Sequence, residues 1–183
     1  MSGPRILPVE PPYEPEIAEE LEQIMPPGIE PLKLFRTLAH NPRILRKIRL
    51  GGLLDRGSID RRDREIVILR TGARCGAEYE WGVHAVYFAA RFGITEEQIA
   101  ATVNGTAEDP CWSEKDSLLI RMADELHDSA RISDDLWQAM SENWQPPQLI
   151  ELMVLAGFYH MVSFVINGAR IELEEGAASF PAK

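Results

Sequence analysis

The sequence predicts an all-α protein. No stretch of its 183 residues alternates between polar and apolar side chains with a period of two over a useful length, the pattern of a half-buried strand. Apolar residues recur instead at helical spacing, most clearly over 113–129. Capping residues and prolines stand between these segments, where helices begin and end. These three observations predict several helices in one domain or a tight pair of half-domains.

The N-terminal region is predicted to hold an extended arm and three short helices. Four prolines within residues 1–13 favour an extended arm over packed structure. An acidic helix follows over 14–25, and Pro26-Pro27 stops it. Two further helices are predicted over 31–40 and 42–54, the second of which begins with an asparagine cap followed by proline.

The chain is organised around a predicted helical hairpin. Asp60 is a candidate N-cap for its first helix, and Gly76 breaks the helical pattern. The apolar run 66–69 would also fit a buried strand by composition, but its polar neighbours and the segment's length favour a helix. The second helix covers about 78–91 and ends at Gly93, a natural left-handed cap.

Four more helices are predicted after the hairpin. Their expected starting residues are Thr95 in a capping box, Ser113, Ser133 and Pro146. The last helix contains the apolar run 149–166, which approaches membrane-span length but includes a glutamate and a histidine. We therefore predict a buried central helix, and no membrane partner.

The second hairpin helix carries a stripe of functional residue types. At 3.6 residues per turn, one face holds Ala77, Glu80, Trp81, His84 and Phe88. A carboxylate and an imidazole four residues apart, beside aromatic rings, predict a shared and partly buried site. Burial beside a carboxylate shifts the pKa values of both groups in ways that proton transfer uses.

A second carboxylate is predicted to join this stripe. Glu65 lies eleven residues before Gly76 and His84 eight residues after it. Folding the helices about Gly76 leaves an offset of about 4.5 Å along the axis, because each residue rises about 1.5 Å. Glu65, Glu80 and His84 are therefore predicted to meet in one small pocket. Further candidates for the wall of this pocket are Cys75, Tyr79, Trp81 and His160.

Structural interpretations of the same residues remain open. Glu65 could pair with one of its neighbouring arginines, and Glu80 with His84 could form an exposed i,i+4 pair worth only about 0.2–0.5 kcal/mol. His160 could be a satisfied core histidine, and Cys75 a buried and inert thiol.

The segment EYEWGVH, preceded by REIVILR and followed by FGITEEQI, resembles the carboxymuconolactone decarboxylase family, which includes the alkylhydroperoxidase D proteins. The resemblance continues through DELHDSARISDDLW and QLIELMVLAGFYHMVSFVIN, and so covers roughly residues 32–174. It implies a compact multi-helix alkylhydroperoxidase D-like fold built around the hairpin. The implied division is an arm and short helix over 1–30, the helical domain over 31–175 and a tail over 176–183.

This chain departs from the peroxidase branch of that family. The branch carries a glutamate, a C-x-x-C pair and a histidine, at positions that correspond here to Glu65, Ala77, Glu80 and His84. The disulfide-forming pair is therefore absent. Cys75 lies two residues before the first cysteine position and about half a turn off the stripe, so helix geometry does not let it replace the pair.

The resemblance implies an enzyme that acts by general acid–base chemistry on a small organic acid or lactone. His84 would shuttle the proton, with Glu80 and Glu65 completing the relay. The alternatives are an alkylhydroperoxidase-like antioxidant protein and a non-catalytic ligand-binding oligomer. The family further implies a homo-oligomer, either trimer-based or a dimer.

Composition excludes several other classes. The net charge of −10 argues against nucleic-acid partners. Two cysteines are too few for a disulfide scaffold, and the N-terminus has no apolar run of signal-peptide length, so a cytoplasmic protein is expected. No H-x-x-x-H, H-E-x-x-H or C-x-x-C spacing occurs, and no phosphate-binding glycine loop, so we predict neither a metal nor a cofactor.

Overall fold

A computed structural model describes residues 3–25 and 28–182 of the chain. The regular structure of these residues is helical, which confirms the predicted all-α class. The α-helices are α1 (Pro15–Glu22), α2 (Lys33–Leu38), α3 (Pro42–Gly51), α4 (Arg61–Arg74), α5 (Glu78–His84), α6 (Glu96–Asn104), α7 (Glu114–Ser129), α8 (Asp134–Asn143) and α9 (Pro146–Ala169).

Local capping explains several of these boundaries. Thr95 and Ser113 each form a full capping box, in which the side chain accepts from the third helical residue and that residue's side chain binds back. Two other predicted caps behave differently. Asp60 stands at the N-cap of α4 without a capping hydrogen bond, and the Ser133 hydroxyl binds Glu125 at 2.9 Å instead of capping α8.

The first helix is shorter than predicted, since α1 ends at Glu22. The prolines that were expected to stop it, Pro26 and Pro27, lie outside the described residues, as do the first two residues of the predicted arm. The described part of the arm lies along the protein's own surface. The backbone amide of Val9 donates to the carbonyl of Arg36 at 3.2 Å, and that of Arg5 to Ala169 at 2.8 Å.

Helix α4 is the centre of the fold. Its residues Ile66–Leu69 are fully buried, because α5, α6, α7 and α9 pack around it on all sides. Because these four residues are apolar on every side of the helix, they show no helical periodicity. Composition alone therefore could not distinguish a helix from a buried strand here. Each such side chain contributes roughly 1.5–3 kcal/mol of hydrophobic stabilisation.

The hairpin's second helix is not uniform. Helix α5 ends at His84, and the chain continues as a π-helical segment, Ala85–Ala89, and a 3-10 turn, Ala90–Phe92, before Gly93 closes it in the left-handed conformation. The prediction of one regular helix over 78–91 was therefore wrong in detail. Single π-helical turns inside α-helices are frequently found at functional sites.

The C-terminal tail packs against the hairpin. A Cβ atom on Gly82 would lie 2.1 Å from the carbonyl oxygen of Ala178, so only glycine lets the tail backbone approach α5 this closely. The Phe180 ring lies 5.3 Å from the Trp81 ring, and its backbone amide donates to the Glu78 carboxylate at 2.7 Å. The tail thereby covers one side of α5.

Helix α9 is long and apolar enough to cross a membrane by length and composition alone. In this fold it is a core helix: one face packs on α4, α5 and α8 and buries Leu152, Leu155 and Tyr159. The opposite face is exposed and still apolar, at Ile150, Val154 and Phe164. The predicted buried central helix is therefore buried on one face only.

Candidate active site

The turn between α4 and α5 brings the predicted site residues together. Gly76 adopts a φ of +61°, which lets the chain reverse directly after α4. Nδ1 of His84 then lies 2.6 Å from a carboxylate oxygen of Glu65. Glu65 is completely buried and His84 is 3% exposed. The pair of Glu80 and His84 is buried, unlike the exposed i,i+4 pair of the structural interpretation, whereas the alternative pairing of Glu65 with a neighbouring arginine does occur.

Glu80 completes a line of three groups. Its carboxylate lies 3.4 Å from Nε2 of His84, on the opposite side of the imidazole from Glu65. Glu80 is 7% exposed and is the outermost of the three. Since each ring nitrogen of His84 faces one carboxylate, a proton can pass along the line from the buried end to the outer end.

An arginine balances the buried carboxylate. The Arg64 guanidinium lies 3.2 Å from the second oxygen of Glu65 and also donates to the carbonyl of Leu54 at 3.0 Å. Glu65 thus has both an arginine and a histidine partner. Two carboxyl groups and two basic groups share the site, so a buried charge without a partner is avoided.

Aromatic rings enclose the imidazole. Tyr159 of α9 contacts His84 edge-on with the ring centroids 5.4 Å apart, and Phe88 lies 5.0 Å away on another side. Phe88 belongs to the π-helical segment. It lies beside His84 as predicted, but through a π-helical turn and not the regular α-helix that was expected.

The carboxylates control the protonation of His84. Burial alone would lower its pKa, but the hydrogen bonds and negative charges of Glu65 and Glu80 outweigh burial and raise the pKa to about 9. Burial and the same two carboxylates raise the pKa of Tyr159 well above its ordinary value. At neutral pH the site therefore holds an imidazolium beside an un-ionised phenol.

Two of the predicted pocket residues direct their polar groups elsewhere. The Trp81 indole donates to the Thr102 hydroxyl at 2.9 Å and packs in the core. The Tyr79 hydroxyl accepts from the backbone amide of Leu34 at 3.1 Å and donates to Glu174. Both residues hold α5 against its neighbours.

The other two, Cys75 and His160, belong to a second cluster. The Cys75 sulfur lies 3.8 Å from Nδ1 of His127, which in turn lies 3.0 Å from Nε2 of His160. Burial raises the pKa of the Cys75 thiol, with Ser163 and Arg74 opposing that shift. The helix geometry had predicted that Cys75 would not take the place of the missing cysteine pair, and the contacts of its sulfur agree.

Sequence reasoning missed Tyr159. It occurs in an apolar helix 75 positions after His84, and no local pattern distinguishes it from the other core residues around it. The sequence contained no signal from which its contact with His84 could have been found.

All three residues of the line are buried in the single chain. Two surface cavities, of about 260 and 200 Å³, are lined by α6 with the loop around Cys111 and by the N-terminal arm. Neither includes Glu65, Glu80 or His84.

Comparisons with known proteins give a family model and a shared fold. Residues 42–124 match the model of the carboxymuconolactone decarboxylase family. Among proteins with curated descriptions, none matches the sequence of this chain.

Several solved structures share the fold at low sequence identity. An uncharacterized peroxidase-related protein from Silicibacter sp. TM1040 has a TM-score of 0.81 and 14% identity, with 99% of this chain and 97% of that chain covered. The alkylhydroperoxidase AhpD core of a peroxidase-related protein from Ralstonia eutropha JMP134 has a TM-score of 0.79 and 13% identity, covering 93% of each chain. The debrominase Bmp8, as a cysteine-to-alanine variant in complex with 2,3,4-tribromopyrrole, has a TM-score of 0.71 and 11% identity, covering 92% of this chain and 91% of that one.

Proposed function

Because residues 42–124 match the model of the carboxymuconolactone decarboxylase family, we propose that the chain is a general acid–base enzyme acting on a small organic acid or lactone. The line Glu65–His84–Glu80 carries this proposal. A hydrogen-bonded histidine between two buried carboxylates is an arrangement suited to proton transfer.

The proposed roles of Glu65, His84 and Glu80 follow from how deeply each is buried and from the protonation of His84. Glu65 and Arg64 hold the imidazole from the inner side, so that Nδ1 donates to Glu65. Nε2 of His84 and the Glu80 carboxylate face the outer end, where the substrate would bind. In a decarboxylation the bond to the leaving carboxylate breaks, its electron pair forms an enolate, and a proton from this outer pair adds to the carbon.

The proposal is tested with the untagged full-length chain and a panel of small β-keto acids and lactone acids. Release of carbon dioxide is measured for the wild type, Glu80→Gln and a control, Glu142→Gln, which alters an exposed carboxylate on α8. We expect turnover that falls at least about 100-fold in Glu80→Gln and is unchanged in the control. Turnover that is insensitive to Glu80 would refute this role.

A thiol-dependent peroxidase is the second candidate, since two of the structural neighbours are described as peroxidase-related. The residues weigh against it. Ala77 and Glu80 occupy the positions of the paired cysteines, and both cysteines of the chain are free. We expect no peroxide consumption with a dithiol reductant. Robust turnover that is lost in Cys75→Ser would overturn that expectation.

We also propose that the chain forms a homo-oligomer through the exposed face of α9. Ile150, Val154 and Phe164 are 58%, 52% and 68% exposed and recur along one side of the helix. Such a contiguous apolar surface is typical of a protein interface. Light scattering at micromolar concentration should give a multiple of the 20.6 kDa chain mass, and Phe164→Asp should lower it. A wild-type mass of one chain would refute the oligomer.

The cytoplasm remains the proposed compartment. Cys75 and Cys111 are both unpaired, as expected of a protein that works under reducing conditions.

A further inference from the structure

A second cluster of ligand-type side chains lies where three helices meet. Cys75 is the C-cap of α4, His127 lies in the last turn of α7, and His160 lies within α9. One ligand atom from each residue lies within 4.8 Å of the other two. Cys75 follows Glu65 by ten residues on the same helix, about 15 Å along its axis, so the cluster is separate from the Glu65–His84–Glu80 line.

The distances within the cluster are close to those of a bound metal. Zinc bonds nitrogen at about 2.0–2.1 Å and sulfur at about 2.3 Å, so tetrahedral ligand atoms lie roughly 3.3–3.6 Å apart. Here the two imidazole nitrogens are 3.0 Å apart and the Cys75 sulfur is 3.8 Å from His127. Side-chain movements well under an ångström for these two pairs would reach that geometry.

A hydrogen bond orients one imidazole toward the centre of the cluster. Nδ1 of His160 lies 2.9 Å from the carbonyl oxygen of Ala156, which can only accept, so Nδ1 carries the proton. In the neutral ring, Nε2 then presents a lone pair toward His127. Metal-binding histidines almost always have such a partner on their second nitrogen.

The electrostatic surroundings also favour a cation. Cys75 and His127 both lie at helix C-termini, where the unpaired carbonyls carry partial negative charge. Arg74 is the nearby positive group, and it is bound by Asp128 at 2.5 Å and by Asp124 at 3.6 Å.

We propose that Cys75, His127 and His160 form a metal site for a zinc-type divalent cation, with the fourth coordination position open. One thiolate and two imidazoles make a donor set that suits zinc. Each of the three residues is half-buried, so an ion can enter from solvent. With three protein ligands the fourth position is left to water or to an exogenous ligand, and the bound ion would join α4, α7 and α9.

The first experiment measures zinc binding to the untagged full-length chain by isothermal titration calorimetry, with zinc chloride as the probe. We expect one zinc per chain. Cys75→Ser, His127→Gln and His160→Gln should each weaken binding by at least about 100-fold. The matched controls, Cys111→Ser and His40→Gln, should bind as the wild type does. Circular dichroism establishes that each variant is folded.

The second experiment replaces zinc with cobalt(II), whose absorption reports its ligands. A sulfur-to-cobalt charge-transfer band in the near ultraviolet should appear in the wild type and in Cys111→Ser, and should be missing in Cys75→Ser. The absence of binding at micromolar zinc would overturn the proposal. So would unchanged affinity in all three ligand variants, or binding that depends on Cys111 or His40.

Discussion

Two clusters that contain histidine lie along α4: Glu65, within the helix, belongs to the first, and Cys75, its C-cap, belongs to the second. The pKa of the histidine is shifted in opposite directions in the two clusters. His84 lies between Glu65 and Glu80, which raise its pKa to about 9 and favour the protonated ring. His127 lies against a thiol and a second imidazole, and its pKa is lowered by burial, Arg74 and His160.

The comparison shows that the partner of a buried histidine affects its protonation more than its burial does. Burial disfavours the charged ring in both places. Carboxylate partners reverse that effect and produce a proton donor, whereas a thiol and a neutral imidazole leave lone pairs that a metal can use.

The largest effect is expected from His84→Gln, which keeps polarity and approximate size but removes the titrating ring. Activity on a small organic acid should fall by about 100-fold to 10,000-fold, the range of general acid–base catalysis. The rate of carbon dioxide release measures it. His40→Gln is the control, since that histidine lies near the surface against the carbonyl of Leu7. A fall of less than tenfold in folded His84→Gln would remove His84 from the mechanism.

The next effect concerns stability. Glu65→Gln removes the charge that both Arg64 and His84 face in the interior. Breaking a buried ion pair from one side typically costs about 3–5 kcal/mol. Urea denaturation followed by circular dichroism should show a loss in the free energy of unfolding of this size. The exposed control Glu142→Gln should change it by less than about 0.5 kcal/mol. An equally small change in Glu65→Gln would mean that the pair contributes nothing.

The pH dependence of stability should differ in sign between the clusters. The raised pKa of His84 gives a stabilisation that is complete below its ordinary pKa of 6.5 and is lost as pH rises through about 9. The lowered pKa of His127 has its effect at acidic pH, where the free energy of unfolding decreases as the pH falls below 6.5.

Urea midpoints between pH 5 and pH 10 measure both effects. His84→Gln should flatten the alkaline limb, which we expect to amount to a few kcal/mol, and leave the acid limb in place. NMR titration of the imidazole resonances gives the His84 pKa directly. A value near that of a free histidine would contradict the carboxylate-controlled assignment.

The smallest effect is expected from His160→Gln in metal-free protein. The change removes one hydrogen bond between half-buried imidazoles, worth about 0.5–1.5 kcal/mol. The free energy of unfolding should therefore change far less than in Glu65→Gln. A loss as large as that of Glu65→Gln would show that the second cluster is a structural element of the core and not an open ligand site.

Local sequence patterns were enough to predict most of the helices and the contact of Glu65 with His84. Caps and prolines act within a few residues, so Thr95, Ser113 and Pro146 marked their helix starts correctly. Which residues face each other in a tight helical hairpin depends on the helical rise and on the position of the turn. The position of the turn is marked in the sequence by Gly76.

The surroundings of those residues depend on contacts between helices that are distant in the sequence. Cys75, His127 and His160 are separated by 52 and 33 positions, and no spacing rule joins ligands from three helices. The contact of Tyr159 with His84 depends in the same way on how α9 packs against the hairpin. The π-helical turn after His84 likewise had no signal in the sequence. Local hydrogen bonding and helical periodicity fix a residue's place along its own helix, whereas its neighbours from other helices are set by how the apolar faces pack together.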